Sequence, residues 1–302
     1  MSTMQNVTSF LHLPQDLKDG LVVQQNHLQQ HDVLPLIAAC RDNRSQCIRL
    51  LLTRPEADVN KADNDGSTPL NAACLDNRVE CVRLLLTRPE ADVNKADNHG
   101  STPLLKACEY DDNVECARLL LTRPEADVNK AAIDRLTPLL KACEYDNVEC
   151  ARLLLTRPET DVNKVDYYGS TPLKTACKNN CVECVRLLLT RPEADVNKAS
   201  NDGSTPLKAA CENNRVECVR LLLSRPEADV NKGDDESELT RLKTPLRIAY
   251  EKGHMDCVRL FERSTASVSA ILCALEKNRL PIELKMHVFL ILDAMFLREA
   301  TR

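Results

Sequence analysis

The sequence predicts an all-α solenoid of seven helix-turn-helix units with hairpin-like tips, ending in a short C-terminal helical tail. Three observations point there. The octapeptide TRPEADVN starts at Thr53 and returns at Thr87, Thr122, Thr156 (with Thr160 for Ala), Thr190 and Ser224 (with Ser for Thr). Its spacings are 34, 35, 34, 34 and 34 residues, a period that belongs to stacked repeats. Thr-Pro-Leu, a helix-start signal, recurs in register with it. Aromatic residues make up only 3% and Trp is absent, which fits a core spread over many small contacts.

The elements follow in chain order. Residues 1–32 are polar and Gln-rich (VVQQNHLQQH from Val22) and read as an arm and partial cap. The repeats occupy 33–263. The first has Leu34-Pro35-Leu36 without the Thr and reads as an N-terminal cap. The unit GSTPLNAACLDNRVECVRLLLTRPEADVNKADN, from Gly66, shows the common design. Thr68 can cap the free amides of a first helix, with Pro69 at its first position. Leu70, Ala73 and Cys74 share one face, and Asn77 suits a left-handed stop. A second helix starts near Val79. Only Glu80, Arg83 and Thr87 form a polar stripe on it, so it is buried on most sides. Pro89 ends it, and Asp97 to Gly100 form a tight turn at a protruding tip. Asp112 is a one-residue insertion that accounts for the single spacing of 35. The seventh repeat carries a long acidic tip, GDDESELTRLK, from Gly233 to Lys243.

This unit resembles an ankyrin repeat: Gly-x-Thr-Pro-Leu, then Ala-Ala, a Leu-Leu pair, and Ala-Asp-Val-Asn. The resemblance covers roughly three quarters of the chain and implies a stack with a concave face made by tips and first helices. Two departures stand out. The family's His after Thr-Pro-Leu is replaced by Asn71, Leu105, Leu140, Lys174, Lys208 and Arg247, which is expected to remove a hydrogen bond. Its Gly-Ala after the second helix becomes Arg-Pro-Glu-Ala. One repeat cannot bury its own apolar face, so identical residues belong at the joints. TRPEADVN is therefore a joint, and function belongs where the copies differ.

Composition excludes other classes. Apolar residues are 43%, charged residues 28% and the formal net charge is −5; with no basic stripe, no nucleic-acid partner is expected. No signal peptide is visible, and the apolar stretch near Val288 to Leu297 is too short and too charged to span a bilayer, so no membrane partner is expected either. The fifteen cysteines fall mostly at two apolar places per repeat and read as reduced core thiols. Cys181-Val-Glu-Cys184 lacks further ligands, so no metal is expected. No phosphate loop, HExxH or G-x-S-x-G occurs. The expectation is a non-enzymatic monomer without cofactors, in the cytoplasm or alternatively the nucleus.

The variable positions supply candidates for a protein partner. The fourth tip offers Ile133, Arg135 and Leu136; the fifth offers Tyr167 and Tyr168. The first helices of repeats three and four end near Tyr110 and Tyr145, where other repeats have Asp76, Asn179 and Asn213. Tyr and Arg are enriched at binding hot spots; drift at tolerant surface positions is the competing explanation.

The tail, 264–302, leaves the repeat. LPIELKMHVFLILDAMF from Leu280 resembles the opening of an F-box, through Leu280, Pro281, Leu284, Val288, Phe289 and Leu292. It is also similar to the truncated F-box-like tails that close ankyrin proteins of some large DNA viruses. The resemblance implies docking on the adaptor subunit of a cullin-RING ubiquitin ligase. An amphipathic helix that caps the last repeat is the alternative.

Overall fold

The computed structural model describes residues 35–110, 113–230, 232 and 244–263. The expected arm, the insertion at Asp112, the acidic tip and the C-terminal tail with its Leu280 to Leu292 motif lie outside the described residues.

Fourteen helices form seven pairs among the described residues, with no strand. They are α1 (Pro35–Arg41), α2 (Ser45–Leu52), α3 (Pro69–Leu75), α4 (Val79–Leu85), α5 (Pro103–Ala107), α6 (Val114–Leu120) and α7 (Pro138–Glu144). The rest are α8 (Val148–Leu155), α9 (Pro172–Asn179), α10 (Val182–Leu189), α11 (Pro206–Glu212), α12 (Val216–Leu223), α13 (Pro245–Glu251) and α14 (Met255–Arg263). The all-α repeat stack expected from the sequence is therefore observed. The described chain divides into two compact blocks, 35–107 with 113–127 and 108–110 with 128–263.

Each first helix starts as its sequence requires. The hydroxyls of Thr68, Thr137, Thr171 and Thr205 accept from the amide three residues on, at 3.1–3.2 Å, with Pro at the first turn. This satisfies one of the free amides at a helix N-terminus. Among the described residues, six of the first helices run into a left-handed residue, Asn43, Asn77, Asp146, Asn180, Asn214 or Gly253, and the chain reverses into the second helix.

Within the first block α1 packs on α3 and α3 on α5, while α2 packs on α4 and α4 on α6. Within the second, first helices α7, α9, α11 and α13 form one row and second helices α8, α10, α12 and α14 another. Small residues permit this. Cys74, Cys143, Cys177 and Cys211 are wholly buried beside Ala73, Ala142, Ala176 and Ala210, and Leu85, Leu154, Leu188 and Leu222 fill the space between the rows. All fourteen described cysteines are free thiols.

The joint element works through side chains that read main chain. Asn163 Nδ2 donates to the Glu193 carbonyl at 2.6 Å, and its Oδ1 accepts from the Asp195 amide at 2.9 Å. Asn197 repeats the pair with Glu227 and Asp229, Asn129 with Glu159 and Asp161, and in the first block Asn60 with Glu90 and Asp92. The joint arginines add a second tie: Arg88, Arg191 and Arg225 donate to the carbonyls of Leu52, Leu155 and Leu189, at the end of the preceding repeat's second helix. Their outer edge pairs with the Glu two residues on.

The missing His does not cost every repeat its hydrogen bond. Asn71 donates to the Lys95 carbonyl at 3.3 Å. Lys174, largely buried, donates to Ser200 Oγ at 2.5 Å and Ser170 Oγ at 3.3 Å. Leu105 and Leu140 instead bury apolar surface at the same place. Asn163→Ala removes both clamp bonds and should cost about 1–2 kcal/mol, at roughly 1 kcal/mol per net hydrogen bond. Tyr168→Ala, on an exposed tip, should stay within about 0.5 kcal/mol of wild type. Urea denaturation of the two variants measures the difference.

Candidate functional site

The sequence-predicted partner-binding residues all lie in the second block, whereas Leu280 to Leu292 lie outside the described residues. Ile133, Tyr167 and Tyr168 are 74%, 67% and 71% exposed, and Tyr110 and Tyr145 are 48% and 46% exposed, so all five face solvent. Arg135 is exposed and Leu136 half-buried.

Helix ends and tips position them. Tyr145 is the residue that caps the C-terminus of α7. The Tyr110 carbonyl accepts from Asn147 Nδ2 at 2.7 Å, which fixes the chain beneath the ring. The Tyr110 and Tyr145 rings are 6.3 Å apart and tilted by 55°. Lys141 Nζ lies 4.7 Å from the centre of the Tyr145 ring, 3.8 Å from Glu109 and 3.6 Å from Glu144. Burial pulls the Lys141 pKa down, but Glu109, Glu144 and Tyr145 outweigh it and hold it above the ordinary lysine value. Tyr167 and Tyr168 meet edge to face at 5.5 Å. They ride on a turn built by Asp166, whose Oδ1 accepts from the Tyr168 and Ser170 amides. Successive tips are laddered: the Tyr167 amide donates to the Asp134 carbonyl and the Asn201 amide to the Tyr168 carbonyl, both at 3.0 Å.

Arg135 has a backbone φ of +63°, where the sister tips hold Gly66, Gly100, Gly169 and Gly203. A Cβ at Gly66 or Gly169 would collide with Asn98 or Asn201 of the following tip, in each case with side-chain Oδ1 and Cγ atoms as well as the backbone amide. After Arg135 that place is taken by Tyr167, so the asparagine side chain is gone. The left-handed conformation still disfavours a non-glycine residue.

A groove of about 470 Å³ opens beside Tyr168. Glu144 and Asp166 line it, together with Lys174, Thr175 and Lys178 of α9 and Asp202 of the next tip. It joins Tyr168 to the end of α7; Tyr110, Tyr145 and Tyr167 do not line it. Lys174 is held by Ser170, Ser200 and, at 3.7 Å, Asp202. Of this groove only Tyr168 was among the residues that the sequence pointed to. Aligning the repeats on their Thr-Pro shows the available signal, a column reading Lys106, Lys141, Thr175.

Among the described residues no three His, Cys, Asp or Glu side chains come together as metal ligands, and no helix is long and apolar enough to cross a membrane. Burial first, and then the nearby Asp146 charge, push the Cys181 thiol up to about 12, so it lacks the thiolate character of a nucleophile.

Capped helix pairs, a left-handed reversal and laddered tips, repeated at one period, define a helical repeat protein whose exposed face varies from copy to copy. The chain belongs to the ankyrin-repeat family. A family model described as ankyrin repeats (3 copies) matches residues 17–97, 36–132, 125–200, 159–234 and 192–271. Among solved structures, the chain is similar to the human ASB11 ankyrin repeat domain, at 26% identity and a TM-score of 0.63, over 76% of this chain and 98% of that one. It is also similar to the ankyrin repeat domain of Bcl-3, described as a unique member of the IkappaB protein family. That match has 30% identity and a TM-score of 0.63, over 76% of this chain and 100% of that one. No curated protein sequence matches significantly.

Replacing Arg135 by Gly relieves the left-handed conformation. Arg135→Gly should raise stability by about 1 kcal/mol, read as a higher midpoint in chemical denaturation.

Proposed function

We propose that the protein is a non-catalytic binder of another protein, and that the partner docks on the tips and first-helix ends of repeats three to five. Ankyrin repeats serve as protein-protein interaction modules. What supports this face is the exposure of four of the chain's five tyrosines in adjacent repeats, joined by Ile133, Arg135 and Leu136. Exposed, ring-paired tyrosines bury much area at low entropic cost when a partner covers them. The protein acts as a monomer in the cytoplasm, with the nucleus as alternative, and uses neither cofactor nor nucleic acid nor membrane.

A second function is proposed for the tail. Leu280, Pro281, Leu284, Val288, Phe289 and Leu292 resemble the start of an F-box, and Leu284, Val288 and Leu292 share one helical stripe by spacing. On this proposal the chain is a substrate receptor: the repeats hold the partner and the tail engages the adaptor of a cullin-RING ubiquitin ligase.

Two experiments test these readings. Peptides selected on wild-type protein by phage display should lose at least about tenfold in affinity when Tyr110, Tyr145 and Tyr167 are changed together to Ala, near 1.4 kcal/mol. Unchanged affinity returns the tyrosines to surface drift. Leu284→Asp should abolish co-purification of the adaptor and leave thermal melting unchanged. A lowered melting temperature without any adaptor binding by wild type marks the tail as a cap.

A further inference from the structure

The tips of repeats two, three and five each begin with an aspartate: Asp63, Asp97 and Asp166. In the first two the carboxylate is neutralised from within the chain. Arg41, the last residue of α1 in the preceding repeat, reaches Asp63 at 3.0 Å. Lys106, in α5 of the same repeat, reaches Asp97 at 3.2 Å. For Asp166 the place equivalent to Arg41 is Glu144, and the place equivalent to Lys106 is Thr175. One substitution reverses the charge and the other removes it. Among the described residues no ammonium or guanidinium lies within ion-pair distance of Asp166, and its contacts are the two turn amides.

The 470 Å³ groove lies at this place, with Glu144, Asp166 and Thr175 in its lining. Such a volume is that of a small-ligand cleft, within about 300–1,000 Å³. Its carboxylates are Glu144, Asp166 and Asp202; its cations are Lys174 and Lys178. Lys174 has only 10% of its side chain exposed and is engaged by two serine hydroxyls and Asp202. Glu144 is shared with Lys141 at 3.6 Å, so Asp166 is the carboxylate of the lining without a cation partner among the described residues. One repeat earlier Lys141, at the place of Thr175, sits between Glu109, Glu144 and the Tyr145 ring; in the groove the places of Glu109, Glu144 and Tyr145 hold Glu144, Lys178 and Asn179. In the groove Tyr168 supplies an exposed ring and the lysine is absent.

We propose that this groove receives an arginine side chain of the partner protein, with its guanidinium beside Asp166 and Glu144 and its flat face on Tyr168. This rests on the protein-binding reading above and adds the partner's chemistry to it. Arginine fits better than lysine because its planar fork satisfies carboxylates through several N–H groups while the plane stacks on an aromatic ring. Asp166 thus lacks the internal cation that Asp63 and Asp97 have, because Glu144 and Thr175 stand at the places of Arg41 and Lys106.

The test uses the full chain and the blocked tripeptide Gly-Arg-Gly, with Lys, citrulline and Glu versions of the central residue. Amide NMR shifts are the readout. Gly-Arg-Gly should move the signals of Tyr168, Ser170 and Thr175 and saturate near about 1–10 mM, as expected of a single small anchor. The Lys version should bind more weakly, and the citrulline and Glu versions should leave these signals in place. Thr175→Lys restores the internal lysine. It should abolish the Gly-Arg-Gly shifts while the melting temperature stays level or rises, which separates occlusion from misfolding. The proposal is overturned if the variant still binds, if citrulline binds as well as Arg, or if Gly-Arg-Gly shifts spread over the acidic surface. Selected peptides that bind Thr175→Lys normally but fail on the triple tyrosine variant leave the protein-binding face standing and overturn the arginine site alone.

Discussion

Among the described residues, the asparagine that ends a joint element bonds across to the next repeat and touches only main chain. Its amide N–H meets a carbonyl and its amide oxygen meets an N–H, two residues apart on the same strand of backbone. An interaction of this kind ignores the side chains of the repeat it grips. It sets the spacing of neighbours without engaging the side chains of the tips and first-helix ends. The joint arginine adds a second contact of the same type, to carbonyls at the end of the previous second helix that would otherwise lack partners. The small Cys and Ala pair in each first helix then lets the rows approach closely.

Two kinds of position follow from this. At the joints, a change propagates to two repeats, since each clamp belongs to both. At the tips, a change is felt by the next tip in the ladder but not by the joints, and the chain has used that freedom. Arg135 stands where glycine relieves strain, and Tyr167 stands where an asparagine would have crowded it. The pair behaves as one substitution spread over two tips, with a small cost in stability. Lys141 and Thr175 stand at equivalent places one repeat apart, and the charge at that place differs between the two repeats.

Much of the fold was legible in the sequence because its signals are local. Thr68 before Pro69, the left-handed Asn77 and the glycine tips act within a few residues of themselves, and the structure shows each where the sequence put it. The exposure of Tyr110, Tyr145, Tyr167 and Tyr168 was legible for a similar reason: each replaces a polar residue at a position set by the period. The clamp was recognised as a joint but its partners were not, because Asn163 and Glu193 are thirty positions apart and the bond involves backbone that carries no sequence identity. The loss expected from the missing His was overstated, since Asn71 and Lys174 find other acceptors. The groove was missed because it is defined by absences, a lysine and an arginine that two sister tips possess and the fifth does not.

Hydrogen exchange at the joint amides tests the central claim that the stack is held by asparagine reading the next backbone. The amides of Asp92, Asp161, Asp195 and Asp229 lie in loops and owe their hydrogen bonds to Asn60, Asn129, Asn163 and Asn197. These four should exchange as slowly as amides within the neighbouring second helices, because opening them requires parting two repeats. Exchange at the rate of unstructured loop amides, with the helices still protected, would contradict it.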